Sequence, residues 1–399
     1  MAQPILRRQP YKGLYLTYFI LSTVFLRIPL WFIWFLPKRN RPRALWTLSR
    51  CIRVKGYQVL TGLAMKVRLQ ATHPAPKENE ELKNASFVWI EGLAEDSEEF
   101  CGRVRKAADI TGVKPARVAA YWFLRPGSSA TKEVKAHPGE RTVLNIHGGA
   151  FYLGSAHPDV ATTNIVHGLM AHSKNIQRML AVEYRLSAAS PDPPANPIPA
   201  ALLDCLAAYR YLVVEAGFEP QNIAVAGDSA GGNLAFALVR HLVENTIPSL
   251  PPPGRLIGFS SWLDLSFSRR SPEDSFMRNA ASDIFANGPG ARFGEYAVPA
   301  YLGPIKLEEA KTNRYLSPSS PHISPLEGLF KGFSKSFISA GGAEIILDDS
   351  MVAAERLKAD GVDVTVDIVP DAVHDFMVFT WHEPERTQAL RRVCNWLDD

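Results

Sequence analysis

Short apolar segments alternate with longer ones from about residue 118 to the end of the 399-residue chain. The short segments predict strands: VAAYWFL, TVLNIHG, RMLAVEY, NIAVAGD, RLIGFSS, SFISAG and DVTVDIV. The longer ones predict helices over residues 158–172, 199–217, 230–245, 350–359 and 385–397. This alternation predicts an α/β fold whose mostly parallel sheet carries helices on both faces.

Two regions do not follow this alternation. Residues 45–117 are mixed helical and polar, and residues 264–334 are rich in Pro, Gly, Ser and aromatic residues without a clear period. Long irregular segments inside a compact domain are usually lids or binding loops. We therefore predict that both regions form a cap over the sheet, within a domain of residues 45–399 that follows an N-terminal anchor of residues 1–44.

The segment LYLTYFILSTVFLRIPLWFIWFL, residues 14–36, is almost continuously apolar. As a helix it is long enough to cross a hydrocarbon core of about 30 Å, although Arg27 near its middle costs about 2.5–3.5 kcal/mol on insertion scales. Its aromatic residues equally suit a helix that lies in the membrane interface. No small-residue cleavage site follows it, which disfavours a signal peptide. We predict a transmembrane or interfacial helix and a membrane-associated protein, located at the endoplasmic reticulum.

The orientation in the membrane stays open. Basic residues are more numerous after the segment than before it, which favours a cytosolic domain. The sequon Asn84-Ala85-Ser86 favours a lumenal one. These two indications cancel each other.

Composition and charge narrow the class of protein. A net charge of +4 with 46% hydrophobic residues indicates a substantial core and gives no indication of nucleic acid as a partner. The four cysteines have no CxxC spacing, and no histidines are paired at metal-ligand intervals. We therefore predict neither a metal site nor a disulfide framework. The oligomeric state cannot be inferred.

The segment IAVAGDSAGGNLAFAL, residues 223–238, carries the clearest chemical motif. Residues 227–231, GDSAG, match G-x-S-x-G between an apolar strand and an apolar helix. Such a sharp turn lifts the serine hydroxyl above the sheet, and the helix N-terminus favours the negative charge that develops there. We predict that Ser229 is a nucleophile; the alternative is an ordinary glycine turn.

A second glycine motif, LNIHGGAFYLGS at residues 144–155, follows a predicted strand and precedes the serine along the chain. Acyl transfer needs two or three N–H groups that point at the tetrahedral oxyanion, and consecutive glycines let the backbone approach it. We predict that the amides of Gly148, Gly149 and Ala230 form this oxyanion hole. His147 precedes the donors and is predicted to be structural.

The base is expected after the acid, because the chain order for a G-x-S-x-G nucleophile of this kind is Ser, then Asp or Glu, then His. Of the ten histidines, His374 and His382 alone follow the acidic cluster near residue 344. His374 lies in PDAVHDFMVF, directly after the last predicted strand, where a base can reach the serine. We predict His374 as the base and expect His382, beside Glu383, to be a surface residue.

Five motifs in this order, HGGAF, EYRLS, GDSAGGN, ISPLEG and VHDF, resemble the hormone-sensitive lipase family of α/β-hydrolases, which includes arylacetamide deacetylase and steryl acetyl hydrolase. The resemblance covers about residues 118–399. It implies an α/β-hydrolase fold, hydrolysis of carboxylic esters, a two-part helical cap and no cofactor. The N-terminal anchor also resembles that of the deacetylase branch.

The acid of the triad departs from the family pattern. The family usually has Asp-Pro-Leu-x-Asp with the first Asp catalytic, whereas residues 344–348 read Glu-Ile-Ile-Leu-Asp, so the resemblance places Glu344 at the catalytic position. Either acid can orient an imidazole in this fold. Asp348 and Asp349 precede a predicted helix, which an acid can cap. We predict Glu344 as the acid, with Asp348 as the alternative.

Our leading interpretation is a membrane-anchored serine carboxylesterase or deacetylase that acts on a lipophilic small molecule, such as an acetylated sterol or a xenobiotic ester. The same site could transfer the acyl group to an alcohol. Two alternatives of other classes stay open. One is a ligand-binding receptor, because plant gibberellin receptors resemble this family while lacking a complete triad. The other is a non-hydrolytic biosynthetic enzyme that stabilises an enolate in the oxyanion hole.

Overall fold

The computed structural model of the chain describes residues 5–67, 77–78, 80–127, 135–285 and 294–399. One sheet contains the eight strands of these residues, namely β1 Ala85–Ile90, β2 Val118–Leu124, β3 Thr142–Ile146, β4 Arg178–Glu183, β5 Ile223–Asp228, β6 Arg255–Phe259, β7 Lys335–Gly341 and β8 Val364–Val369. The strand order is β1-β2-β4-β3-β5-β6-β7-β8. β1 and β2 are antiparallel to their neighbours, and all other pairs are parallel.

The described residues also form twelve α-helices: α1 Tyr11–Ser22, α2 Ile28–Phe35, α3 Leu48–Val67, α4 Gly102–Thr111, α5 Asn164–His172, α6 Ala200–Arg210, α7 Ala230–Asn245, α8 Ser275–Arg278, α9 Gly294–Leu302, α10 Leu307–Thr312, α11 Leu347–Ala359 and α12 Glu385–Asp398. The helix predicted over residues 199–217 is α6, which continues as a π-helical turn at Tyr211–Glu215. Helices therefore connect the parallel strands, as the alternating pattern predicts.

Successive residues of a strand point to opposite faces of the sheet, and apolar side chains are buried on both of these faces. In β3, Leu144 and Ile146 belong to the core that contains α6 and α7, whereas Val143 belongs to the core that contains α5 and α12. Strands covered on both faces are continuously apolar, which is why the short segments show no polar alternation. β5 lies near the middle of the sheet and is buried along its whole length.

Every strand and helix predicted from residue 118 onward is present in the structure, in the predicted order. The seven predicted strands correspond to β2–β8, and the predicted fold class is confirmed. The helix predicted over residues 158–172 begins with a 3₁₀ turn at Ala161–Thr163 and is α-helical from Asn164. The helix predicted over residues 350–359 begins earlier, at Leu347, so Asp348 and Asp349 lie inside its first turn.

The two regions predicted as a cap contribute differently to the molecule. Residues 45–117 contain α3 and α4 but also β1, which forms one edge of the sheet. Residues 264–334 contain the short helices α8 and α10 and the longer α9, and part of this region, residues 286–293, lies outside the described residues. The division of the chain into a cap, a hydrolase domain and an anchor stays a prediction.

Residues Tyr11–Phe35 form one continuous helix, in which α1 and α2 are joined by a π-helical turn at Thr23–Arg27. We call it the N-terminal helix. Within the described part of the chain, it is the one helix long and apolar enough to cross a membrane, judged by length and composition. A membrane anchor and a signal sequence both fit this finding.

Candidate active site

Ser229 lies at the sharp turn between β5 and α7. Its backbone has φ 50° and ψ −115°, and its amide donates to the carbonyl oxygen of Phe259 at 2.9 Å. The flanking glycines are required by space: a Cβ on Gly227 would overlap the carbonyl oxygen of Gly231, and a Cβ on Gly231 would overlap that of Ile146. A non-glycine residue with positive φ is strained, and such strain is typical of a nucleophile turn.

His374 and Ser229 are brought together by the loop that follows β8. The imidazole Nε2 lies 3.0 Å from Ser229 Oγ, and the ring is almost completely buried. The ring of Phe285 packs on the imidazole with a centroid distance of 5.1 Å. The next residue, Asp375, donates its amide to Ser260 Oγ at 3.2 Å, which fixes the loop to the end of β6. This distance between nucleophile and base permits direct proton transfer.

Glu344 faces the other nitrogen of the imidazole. Its Oε2 lies 3.3 Å from His374 Nδ1, and the carboxylate is completely buried. This is an ion-pair contact without good hydrogen-bond alignment, and such contacts often tighten when substrate binds. Burial raises the pKa of Glu344 to about 6, against the opposing effect of His374. The three side chains therefore form a continuous chain from hydroxyl to imidazole to carboxylate.

The two acids that follow Glu344 have other partners. Asp348 Oδ2 accepts the amide of Ser275 at 2.7 Å. Asp349 Oδ2 accepts the amides of Leu263 and Asp264 at 2.9 and 2.8 Å. The expectation that one of these acids is the N-cap of α11 is wrong, because the N-cap is Ile346, which makes no side-chain bond to the helix; both acids lie in the first turn, where they offset the helix dipole. Both carboxylates also tie the first turn of α11 to the chain that follows β6.

Asp375 is a second carboxylate beside the base, and the sequence analysis did not predict it. Its Oδ2 lies 3.1 Å from His374 Nε2, on the same side of the ring as the serine. Burial lowers the pKa of His374, but the carboxylates of Asp375 and Glu344 outweigh burial and raise this pKa well above 6.5. The position of Asp375 directly after the histidine was a signal in the sequence, because a carboxylate next to an imidazole along the chain can also lie beside its ring.

Two further buried carboxylates lie close to the base. Asp228 precedes the serine, and burial raises its pKa, with a further contribution from Asp375. Asp283 Oδ2 accepts the amide of Ile345, and its Oδ1 accepts the amide of Phe285 at 3.3 Å. Asp283 thereby connects Ile345, which follows Glu344, with Phe285, whose ring packs on the imidazole. Its place in an irregular segment gave no signal in the sequence.

The predicted oxyanion loop packs against the nucleophile turn. Gly149 has φ +115°, and a Cβ there would overlap the carbonyl oxygen of Leu153, so this position requires glycine. A Cβ on Gly148 would overlap the carboxylate of Asp228, and the Gly148 amide hydrogen bond lowers the pKa of that carboxylate. The carboxylate of Asp228 thus lies beside the Gly148 amide, a neighbour that the predicted oxyanion hole did not include. Ala230 is the first residue of α7 and is buried.

His382 is completely buried, so the expectation of a surface residue is wrong. Its Nε2 accepts the amide of Val373 at 3.4 Å, and its Nδ1 lies 3.4 Å from Glu385 Oε2. Burial, with a contribution from Arg50, lowers the pKa of His382 to about 4. A neutral His382 thus supports the loop that carries the base.

His147, which was predicted to be structural, and three polar residues near it support the oxyanion loop and the sheet. His147 stacks on Tyr184 with a centroid distance of 4.2 Å, and the Tyr184 hydroxyl donates to the His147 carbonyl oxygen at 2.9 Å. The guanidinium of Arg185 pairs with Asp204 at 2.8–3.0 Å, and Asp204 is buried. These contacts fix the two loops that follow β3 and β4, and they agree with the structural role predicted for His147.

An apolar cavity of about 300 Å³ lies beside the loop of the acid, where Phe267 and Ile345 form part of its wall. Ser229 is not among the residues that line it. Trp262 is buried between Phe151 and Phe267, with centroid distances of 5.9 and 5.4 Å, so it packs in the core beside this cavity.

The described residues contain no group of three or more His, Cys, Asp or Glu side chains that could hold a metal ion. All four cysteines are free thiols, and Cys51, Cys205 and Cys394 are buried.

Comparisons with known proteins agree with this architecture. The sequence profile of the α/β-hydrolase fold family matches residues 143–378. The esterase LipU of Mycobacterium tuberculosis is 31% identical over 257 residues, which are 64% of this chain and 77% of that protein. An acetyl-hydrolase of Streptomyces hygroscopicus is 28% identical over 295 residues, 73% of this chain and 84% of that protein.

Solved structures extend the likeness. A hormone-sensitive lipase from a metagenome library is 28% identical, covers 70% of this chain and 81% of its own, and superposes with a TM-score of 0.52. An esterase from the bacterial hormone-sensitive lipase family has a TM-score of 0.58 over 89% of this chain and 99% of its own, and its 22% identity shows the fold alone.

The sheet, the strained serine turn and the histidine loop define an α/β-hydrolase. The chain belongs to the α/β-hydrolase fold family and, within it, to the hormone-sensitive lipase group. The resemblance stated from the five motifs is therefore confirmed.

Proposed function

We propose that this chain is a membrane-attached serine carboxylesterase or deacetylase that hydrolyses an ester of a lipophilic small molecule. Its family and its relatives, which are named esterase, carboxylesterase and acetyl-hydrolase, make it a serine ester hydrolase. The observation that carries the assignment of the nucleophile is the 3.0 Å distance between Ser229 Oγ and His374 Nε2, with Glu344 at the other ring nitrogen.

The proposed reaction has two halves. Ser229 Oγ attacks the ester carbonyl while His374 Nε2 takes the hydroxyl proton, and Glu344 stabilises the imidazolium that forms. The C–O bond to the alcohol then breaks, and His374 returns the proton to the leaving oxygen. Water loses a proton to His374, attacks the acyl-enzyme and releases the carboxylic acid and free Ser229.

Backbone amides complete the proposed site. The negative charge on the tetrahedral carbonyl oxygen requires donors near Ser229, and we assign Gly148, Gly149 and Ala230 to this role. The carboxylate of Asp228 lies beside the Gly148 amide and competes with an oxyanion for this donor. Without Gly148, the amides of Gly149 and Ala230 can still donate two hydrogen bonds to the oxyanion, which is the smaller number that acyl transfer needs.

The substrate class and the location are the finer parts of the proposal. A lipophilic substrate is supported by the apolar cavity beside Ile345 and by the Phe285 ring on the imidazole. A deacetylase is supported by the likeness to an acetyl-hydrolase. Membrane attachment is supported by the exposed, apolar N-terminal helix. The endoplasmic reticulum stays a prediction.

The test is hydrolysis of p-nitrophenyl esters from acetate to laurate by the detergent-solubilised full-length chain, with Ser229→Ala as the control. We expect turnover that falls by at least about 10³-fold in the variant. A preference for acetate over longer chains would support the deacetylase, and a preference for longer chains would support an esterase of lipid-like acyl groups. Equal rates for the wild type and Ser229→Ala at every chain length would contradict the proposal.

A further inference from the structure

The N-terminal helix packs along α3 in the antiparallel sense. Near one end, Phe19 is buried with Leu63 and Val67; near the other, Phe35 is buried with Cys51 and Val54. The residues of the N-terminal helix that face α3 recur every three or four positions, as one face of a helix requires. The two helices therefore form a hairpin whose arms are in contact near both ends.

The opposite face of the N-terminal helix is apolar and exposed. Phe25 is 74% exposed and Trp34 is 61% exposed. The other large apolar residues more than half exposed on this helix are Leu14, Tyr18, Ile20, Leu21, Leu26, Leu30 and Ile33. A helix of this length extends over roughly 37 Å, and a continuous apolar surface of that size marks a partner or a membrane.

The charge of this part of the chain favours an anionic lipid surface as the partner. The first 77 residues contain 14 Lys and Arg and no Asp or Glu, whereas the other residues contain 30 Lys and Arg against 40 Asp and Glu. Basic residues lie at both ends of the N-terminal helix, Arg8 and Lys12 at the first and Lys38 and Arg39 at the last. Clustered basic residues beside an apolar helix face are typical of binding to anionic headgroups.

The contacts of α3 with the rest of the molecule decide the orientation of the hairpin. Arg50 pairs with Glu385 at 2.7 Å, and Gln58 Nε2 donates to the carbonyl oxygen of Asp283 at 2.7 Å. Arg53 lies over the ring of Trp381. The first half of α3 thus lies flat on the hydrolase body. Because the second half of the N-terminal helix packs on this part of α3, it too is held beside the body.

We propose that the N-terminal helix lies in the plane of an anionic lipid surface, with its apolar face immersed, and does not cross the bilayer. This inference rests on the membrane attachment proposed above and specifies its geometry. A crossing helix would bring Arg50, Arg53 and Glu385 to the depth of the hydrocarbon, where charged groups are costly. An in-plane helix immerses apolar side chains alone and leaves the basic residues at both ends among lipid phosphates.

Arg27 fits the in-plane geometry. In a crossing helix it would sit at mid-membrane, but its side chain turns away from the exposed face and its guanidinium lies 4.7 Å from the centroid of the Phe19 ring, which packs on α3. A cation over an aromatic face is stabilised without an acidic partner. The central arginine therefore does not have to enter hydrocarbon.

Labelling of two cysteines in one molecule distinguishes the two geometries. Lys12→Cys and Lys38→Cys are combined in the full-length chain with Cys101→Ser, because the other native thiols are buried. The protein is reconstituted in sealed vesicles of phosphatidylcholine and phosphatidylserine, treated with a membrane-impermeant maleimide and weighed by intact mass spectrometry. For an in-plane helix, we expect molecules with two labels or with none, and two labels on every molecule after detergent is added.

Molecules that carry a single label before detergent would overturn the in-plane geometry and leave membrane attachment intact. If the protein does not float with the vesicles, the attachment itself and this inference are both overturned. The protein would also fail to float if two copies associated through the apolar face. Hydrolysis of p-nitrophenyl acetate, measured on the same samples, reports on the esterase separately.

Matched variants test the apolar face. Phe25→Asp places a charge on the exposed face, and we expect vesicle binding to weaken at least about 10-fold. Ile110→Asp changes a similarly exposed apolar residue on the body, at 63% exposure, and should bind as the wild type does. Binding should also weaken at least about 10-fold on vesicles of phosphatidylcholine alone. Wild-type binding by Phe25→Asp, or equal binding to both kinds of vesicle, would overturn the proposal.

Discussion

Replacing Glu344 by Gln keeps the size of the side chain and removes the charge 3.3 Å from His374 Nδ1. The imidazolium that forms when Ser229 loses its proton then loses the carboxylate at its Nδ1, and an amide there can hold the imidazole in the wrong tautomer. The corresponding loss in a Ser-His-Asp triad is about 10⁴-fold in kcat. We expect Glu344→Gln to lower kcat by about 10³–10⁴-fold, which corresponds to roughly 4–5.5 kcal/mol of transition-state stabilisation.

The same substitution should not destabilise the fold. Burial raises the pKa of Glu344 from 4.5 to about 6, so the folded state binds the proton more tightly than the unfolded state does. The ionised carboxylate therefore costs stability that is absent below pH 4.5, sets in as the pH rises to 6, and amounts to about 2 kcal/mol above that. Glutamine removes this cost, and we expect Glu344→Gln at pH 8 to unfold at or above the wild-type temperature.

Two neighbouring acids provide the controls. Asp349→Ala removes the acceptor of two buried amides and should lower the free energy of unfolding by about 2–4 kcal/mol, while folded enzyme retains most of its kcat. Asp348→Asn removes a charge four residues from Glu344 and should change kcat by less than about threefold. The assays are initial rates with p-nitrophenyl butyrate at pH 8 and thermal unfolding followed by circular dichroism.

The reasoning would be refuted by Glu344→Gln with kcat within tenfold of the wild type. It would also be refuted if Asp348→Asn lost as much activity as Glu344→Gln while remaining folded, because the histidine's partner would then be the other acid. A Glu344→Gln variant that unfolds at a much lower temperature would contradict the stability argument alone.

Two more substitutions test the surroundings of the base and the oxyanion loop. His374 accepts a proton only when neutral, and Asp375 contributes to its raised pKa, so kcat/KM should fall as the pH drops through that pKa. Asp375→Asn should move this acid limb to lower pH by about one unit or more, whereas Asp371→Asn should leave it in place; an unmoved limb in Asp375→Asn would contradict the assignment. Gly149→Ala places a Cβ against the Leu153 carbonyl oxygen at positive φ, and kcat with p-nitrophenyl butyrate should fall by about 10²-fold or more. Wild-type turnover in this variant would remove Gly149 from the oxyanion hole.

The sheet interior could be predicted from the sequence and its edge could not. β2–β8 are buried by helices, so each is a continuous apolar segment between clear turns. β1 is a short edge strand whose residues are mostly half-buried, in a region whose pattern is mixed, so no periodicity separates it from the surrounding loop. The starts of α5 and α11 shifted by a few residues because helix ends depend on local turns that apolar spacing does not describe.

The predictions for the site came from the order of residues along the chain and from family motifs, and they reached no further than these two sources allow. Ser229 and His374 lie in motifs whose chemistry requires their positions. Glu344 was chosen over Asp348 by resemblance. In the structure, Asp348 and Asp349 accept hydrogen bonds from backbone amides about 70 to 90 residues away in sequence, and no local pattern reveals such partners. His382 was misjudged because its polar neighbour Glu383 suggested exposure, whereas the local chain folds so that the rings of Phe376 and Trp381 pack on it.

The central claim is that Ser229 becomes covalently acylated, and a fluorophosphonate ester tests it directly. Intact and peptide mass spectrometry of the full-length chain should show one adduct, on the peptide that contains Ser229, formed within minutes at pH 8. The adduct should be absent in Ser229→Ala and much slower to form in His374→Ala, because the serine then lacks its base. An adduct on another residue, or an adduct on Ser229 that forms equally fast without His374, would contradict the account.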